Sequence, residues 1–245
     1  MKYTLTLILL LLSVVCLSED KEYSIDRQTW DKALEKNTSV TIENLYGNVL
    51  IKKSYDNLLE INAVNQNIKT KANKAKFIIE ENKKHVSIKV VFDNDTVESK
   101  ERSDLSIAMP KDMDLTLIMD ANKLNVKKLM SPLTVKAEST DIYMTTKSKF
   151  NILSKYGEVF VKILENSEPQ TSSIQTFKGD ITLEYLAKKP FIDVISGKIP
   201  VSNSAEFLLT KRKVNRSVHF NDQQSKTKVQ IKSDTGKIIL LDKNI

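Results

Sequence analysis

A single cysteine, Cys16, leaves this 245-residue chain with no intramolecular disulfide. Two histidines, His85 and His219, lie far apart in sequence and have no second thiol to join them, so no metal-ligand spacing is present. No Gly-x-Ser-x-Gly, Walker loop or Gly-x-Gly-x-x-Gly occurs, so no cofactor or nucleotide motif can be assigned. Five glycines and five prolines are too few for a collagen-like or disordered chain. Aromatic residues make up only 7%, so a core must be built from Ile, Leu and Val, residues that favour strands. Neither charge sign dominates: 38 basic and 31 acidic residues are interleaved, and the net charge of +7 reads first as solvated strand faces. Beyond that, it offers some attraction for anionic lipid, acidic glycans or nucleic acid.

Only one long apolar run exists, from Thr4 to Leu17 after the positive start Met1-Lys2. It is shorter than the ~20 residues a membrane-spanning helix needs, and residues 1–18 read as an export signal. Two ends are open to it. Cleavage after Ser18 puts small residues at the required places. Alternatively, Leu12-Ser13-Val14-Val15-Cys16 resembles a bacterial lipobox, with Val15 where a small residue is usual, and Cys16 becomes the lipidation candidate. The protein is expected to work outside the cytoplasm, periplasmic or on the outer surface, and to be membrane-associated if lipidated. Residues 19–37 form a linker or a cap, with a weak helical spacing of Trp30, Ala33 and Leu34. Trp30 is expected to plug the end of a core.

What the chain does have is a recurring unit. Each glycine is followed by a polar residue and then by an apolar-x-apolar triplet. Gly47 precedes Asn48-Val49-Leu50-Ile51, Gly157 precedes Glu158-Val159-Phe160-Val161, and Gly179 precedes Asp180-Ile181-Thr182-Leu183. Gly197 and Gly236 open similar units, and Asn122, Thr140 and Arg216 take the glycine's place in three more. The series 122, 140, 157, 179, 197, 216 and 236 has near-constant steps, the mark of a repeat architecture. The expected fold is all-β: a β-solenoid or β-helix-like stack of strand-turn-strand repeats of about 17–22 residues, after a more irregular N-terminal β region. These glycines are structural turn residues, wanted where φ is positive, and the corners at Thr140 and Arg216 are expected to be wider. An antiparallel β-sandwich is the alternative. A hairpin is expected at 76–92, and residues 93–104 read as an exposed charged loop without the glycine or ligand spacing of a calcium loop.

Residues 38–245 resemble the "putative adhesin" family of bacterial envelope proteins, a domain of unknown function. The resemblance is carried by Asn44-Leu45-Tyr46-Gly47-Asn48-Val49-Leu50-Ile51, by Leu105-Ser106-Ile107-Ala108-Met109-Pro110, and by the serial glycine units. It implies a single β-solenoid-like domain, export and frequent lipid anchoring, and it brings no catalytic residues.

Two surface features are candidates for binding. Lys211, Arg212, Lys213 and Arg216 form the densest basic run and could hold sulfated glycans or anionic lipid; no aromatics interleave with it, which disfavours nucleic acid. Asp141, Glu158 and Asp180 each follow a corner by one residue and are expected to stack into a column relieved by Lys155 and Lys178. A glycosidase-like carboxylate pair among such residues is a minor alternative. The sequence reads as a non-enzymatic protein with an unknown protein or glycan partner at the cell surface, or as a structural component of the envelope.

Overall fold

The computed structural model describes residues 23–68, 74–93, 97, 100–120, 122–164, 170–186, 190–198, 201–202, 207–211, 216–220 and 225–243. The described residues contain strands and turns and no helix. The signal expectation for residues 1–18 and the lipidation candidate Cys16 lie outside them.

Apolar residues alternate with polar ones through nearly every segment, which places one face of each strand in a core. In chain order the strands are β1 (Tyr23–Ala33), β2 (Ser39–Asn44), β3 (Val49–Lys53), β4 (Leu58–Ile68), β5 (Ala75–Asn82), β6 (His85–Phe92), β7 (Arg102–Met109), β8 (Asp114–Met119), β9 (Lys123–Leu129) and β10 (Leu133–Ser139). There follow β11 (Asp141–Thr146), β12 (Phe150–Tyr156), β13 (Val159–Ile163), β14 (Gln170–Lys178), β15 (Ile181–Tyr185), β16 (Phe191–Ser196), β17 (Val201–Ser202), β18 (Phe207–Lys211), β19 (Arg216–Phe220), β20 (Thr227–Ser233) and β21 (Ile238–Asp242). They form two sheets. The first runs β1-β4-β7-β3-β9-β11-β13-β15-β21-β17 and the second β18-β19-β16-β20-β14-β12-β10-β8-β2-β6-β5.

The two orders match unit by unit. The pairs β8/β9, β10/β11, β12/β13 and β14/β15 each place one strand in each sheet and lie beside one another in chain order, all in parallel. Parallel pairing therefore dominates, and the antiparallel sandwich does not describe this chain. Antiparallel pairs occur at the two ends: β1, β4 and β7; the β5–β6 hairpin; and β16, β19 and β18. The β5–β6 hairpin turns at residues 83–84, as its sequence indicated.

Chain order breaks at both ends. The β2/β3 unit lies between β6/β7 and β8/β9. The β20/β21 unit lies between β14/β15 and β16/β17. The strand-turn-strand units therefore do not lie side by side in sequence order throughout. Arg216 is not a corner: it opens β19, which pairs antiparallel with both β16 and β18.

The core sits between the sheets. Ile42, Leu117, Val135, Ile152, Ile174, Ile231 and Val194 make one inward row in the second sheet. Ile51, Val126, Met144, Val161, Leu183 and Leu240 make the matching row in the first. All of these side chains are buried, each contributing about 1.5–3 kcal/mol.

Two local readings change. The helical spacing of Trp30, Ala33 and Leu34 is overturned at its start: Trp30 and Ala33 belong to strand β1, at the edge of the first sheet and in register with β4 over its whole length. Its half-buried face carries Asp26, Gln28 and Trp30, so polar residues replace the apolar alternation that normally reveals a strand. Gln28 Nε2 donates to Ala75 O at 2.7 Å and Lys32 pairs with Glu81, so β1 is tied to the β5 edge of the other sheet. Trp30 packs against the core, as expected of it. The segment read as an exposed loop at 93–104 ends in strand β7, with Glu101 and Ser103 buried.

Candidate functional site

The corners between paired strands form a continuous edge along the molecule. At this edge the backbone of each unit touches the next. A Cβ added to Gly236 would lie 1.9 Å from the carbonyl oxygen of Gly179; one on Gly179 would lie 2.0 Å from that of Gly157, and one on Gly157 2.4 Å from that of Thr140. Gly47 and Gly197 meet the carbonyls of Ser103 and Asp234 in the same way, at 2.1 and 2.5 Å. Close approach, rather than turn geometry, is thus the general reason for glycine here. Of the five, Gly157 alone has a positive φ, 100°. Asn122, with φ 76°, takes the left-handed conformation that asparagine tolerates. The Thr140 corner is not wide: this one buried residue joins β10 to β11.

Beside the glycines runs a column of polar side chains. Each accepts a hydrogen bond from the backbone N–H of its counterpart in the adjacent unit. Asp104 Oδ1 accepts from Asn48 N at 2.8 Å, and Asn48 Oδ1 from Lys123 N at 3.1 Å. Asp141 Oδ1 accepts from Glu158 N at 2.9 Å, and Asp180 Oδ1 from Lys237 N at 2.7 Å. Asp141, Glu158 and Asp180 do come together, and they line an open cleft of about 660 Å³ with Lys178 and Lys198. The expected relief by Lys155 is not found. Lys155 pairs instead with Glu138 at 2.7 Å, and this partner raises the lysine's pKa above its ordinary value. The column is flanked by Lys123, in register with Asp141, and by Lys237, whose backbone N–H bonds Asp180. Asp141 and Asp180 are occupied as backbone acceptors, a structural task that the glycosidase-like reading does not require.

Buried hydroxyls and an amide hold the same corners from inside. Asn44 Nδ2 donates to Ser103 O, Ser154 Oγ to Tyr156 O and Thr176 Oγ1 to Gly179 O, while Ser233 Oγ accepts from Gly236 N. Each satisfies turn backbone that would otherwise be buried unpaired. The sequence reading missed these residues, although their signal is plain: a polar residue stands three places before four of the five glycines, Gly47, Gly157, Gly179 and Gly236.

Lys211 and Arg216 are facing partners in the β18–β19 hairpin, whereas Arg212 and Lys213 lie outside the described residues.

The outer face of the second sheet carries a shallow groove of about 360 Å³, lined by Asn151, Leu153, Ser173, Gln175, Asp193 and Gln230 among others. Leu153 and Phe177 stand 47% and 54% exposed on this sheet, and Tyr156 packs edge-on to Phe177 with ring centres 6.4 Å apart.

No family model matches the chain, and no curated protein matches it. Solved structures with some likeness include a "putative cell adhesion protein" from Clostridium sporogenes ATCC 15579, 12% identical, with a TM-score of 0.47 over 89% of this chain and 100% of that one. A "putative adhesin" from Bacteroides fragilis NCTC 9343 is 10% identical, with a TM-score of 0.27 over 89% of this chain and 97% of that one. Another "putative adhesin", from Parabacteroides merdae ATCC 43184, is 8% identical, with a TM-score of 0.26 over 89% and 96%. At these scores the likenesses carry no weight for function.

Proposed function

We propose that the chain is an exported, non-enzymatic, adhesin-like protein of the bacterial envelope, built as a β-solenoid that presents long regular faces to a partner. The supporting observation is the register. Units in both sheets repeat the same positions side by side, so a residue type chosen at one position becomes a row across the molecule. Such rows suit recognition of an extended partner better than chemistry at a point, and the corner carboxylates of Asp141 and Asp180 are already engaged by backbone. The segment before residue 23 supplies the export signal, with Cys16 as a lipid anchor or Ser18 as the cleavage end. Mass measurement of the mature N-terminus separates these: a diacylglycerol on Cys16 gives the anchored form. Protease treatment of intact cells tests the binding role. Cleavage is expected; complete protection leaves a structural role within the envelope.

A further inference from the structure

The residue between the two inward positions of each strand in the second sheet faces outward. From β2 through β8, β10, β12 and β14 to β20, these residues are Thr41, Thr116, Thr134, Asn151, Ser173 and Gln230. Each is the direct register partner of the next. All six are uncharged hydroxyls or amides, in a chain of which 28% is charged. The row continues through Ser87 on β6, and its flanks are acidic, Glu80 at one end and Asp193 at the other. Charge is present one row away, where Lys89 pairs with Glu43 at 2.8 Å, so it is excluded from this row and not from the face. The equivalent outward row of the first sheet is of another kind: Leu50, Asn125, Tyr143, Phe160, Thr182 and Ile239.

A row of donors and acceptors spaced by the strand separation of about 4.8 Å spans roughly 24 Å over six strands. It offers a hydroxyl or amide at each step, with Ser173 Oγ donating to Asn151 Oδ1 inside the row, and a chain of linked neutral sugars meets these groups with hydroxyls of its own. The two ionisable side chains lining the groove, Asp193 and Lys232, are one of each sign, so they supply no net charge for a polyanion or a charged peptide. Toward β14 the row enters the groove that Asn151, Ser173 and Gln230 line. There Leu153 stands beside it and Phe177 lies further along β14 on the same face. Apolar groups next to a polar row suit the apolar faces of sugar rings.

We propose that this row is the binding site for a neutral, linear polysaccharide lying across the strands of the second sheet, centred on Asn151, Ser173 and Gln230. The proposal rests on the binding role given above and names its ligand class.

The test is affinity electrophoresis of the purified full-length mature chain through gels containing hydroxyethylcellulose, laminarin, dextran or galactomannan, with heparin as the polyanionic comparison. Retardation by at least one neutral polymer is expected, and it should persist in ~1 M salt, which screens charge beyond about 3 Å. Ser173→Lys and Thr134→Lys, both on the outer face, should weaken that retardation about tenfold while leaving the unfolding midpoint unchanged. Thr182→Lys on the first sheet should leave it intact. Retardation by heparin alone, by none of the neutral polymers, or equally in the ladder variants overturns the proposal. The last two outcomes combined with protease cleavage of the chain on intact cells leave the binding role standing with another partner. Complete protection on intact cells as well removes the binding role itself.

Discussion

The middle of the molecule and its two ends are built from the same kind of unit but assembled by different rules. In the middle, from β8 to β15, each strand-turn-strand unit lies beside the one that follows it in sequence. At the ends, the first and last of the parallel units in the chain are drawn inward. The β2/β3 unit is covered by β6/β7, and β20/β21 is covered by β16/β17. Segments from inside the chain therefore form the outermost parallel layers, and antiparallel strands, β1 among them, finish them. A unit that has an apolar row on each side of its corner buries that row only against neighbours, so the outermost unit is always the least covered. Drawing the chain's late unit inward gives it two neighbours and leaves the exposed position to β16–β19.

Removing residues 227–245 gives the largest expected break in this comparison. The deletion takes a neighbour from β14, β15, β16 and β17 at once. Limited proteolysis should then cut throughout residues 170–220, whereas loss of an outermost unit would spare β14 and β15. Next in size is Gly179→Ala, which drives a methyl into the Gly157 carbonyl in the middle of the corner column. Urea unfolding should register a loss of about 3 kcal/mol or more, because backbone on both sides resists the shift. Core truncation sharpens the contrast between regions. Leu117→Ala, in a fully buried row, should cost about 3 kcal/mol, and Trp30→Ala, half-buried at the end, about 1.5 kcal/mol by the same measurement. The smallest effect belongs to the exposed Lys76–Asp93 pair at the open end of the β5–β6 hairpin. Lys76 holds the Asp93 carboxyl below the ordinary aspartate range. Its contribution is present above the unfolded-state pKa and is lost as pH falls through the depressed one. Lys76→Met should therefore slightly reduce the thermal midpoint near neutral pH and leave it unchanged in strong acid.

The strands were readable because their apolar alternation is local, and so were the hairpin at 76–92 and the glycine corners. The order of the units was not readable. Val229-Gln230-Ile231 and Ile192-Asp193-Val194 are near-equivalent triplets, and either could lie beside Ser172-Ser173-Ile174 as far as hydrophobic pattern goes. Pairing over such distances is decided by tertiary fit at the corners, where Gly236 and Asp180 seat β20/β21 against β14/β15. Strand β1 was hidden because its inward face is Asp26, Gln28 and Trp30 rather than a run of aliphatics. Arg216 fitted the period by position but begins an antiparallel strand, a difference that spacing alone does not carry. The corner column of Asp141, Glu158 and Asp180 was readable from spacing, whereas the use of Asp141 and Asp180 as backbone acceptors was not, since that depends on the neighbouring unit. Five of the six residues of the uncharged row on the second sheet were present in the sequence as the middle residue of apolar-x-apolar triplets, Ser173 following Ser172 instead, and the row becomes visible once the strands are sorted into two sheets.

Hydrogen exchange along the intact chain tests the interleaved order most directly. Amides of β20 and β21 should exchange as slowly as those of β14 and β15 and much more slowly than those of β16 to β19, although β20 and β21 come last in sequence. Protection that declines steadily from β15 to residue 242 would contradict it.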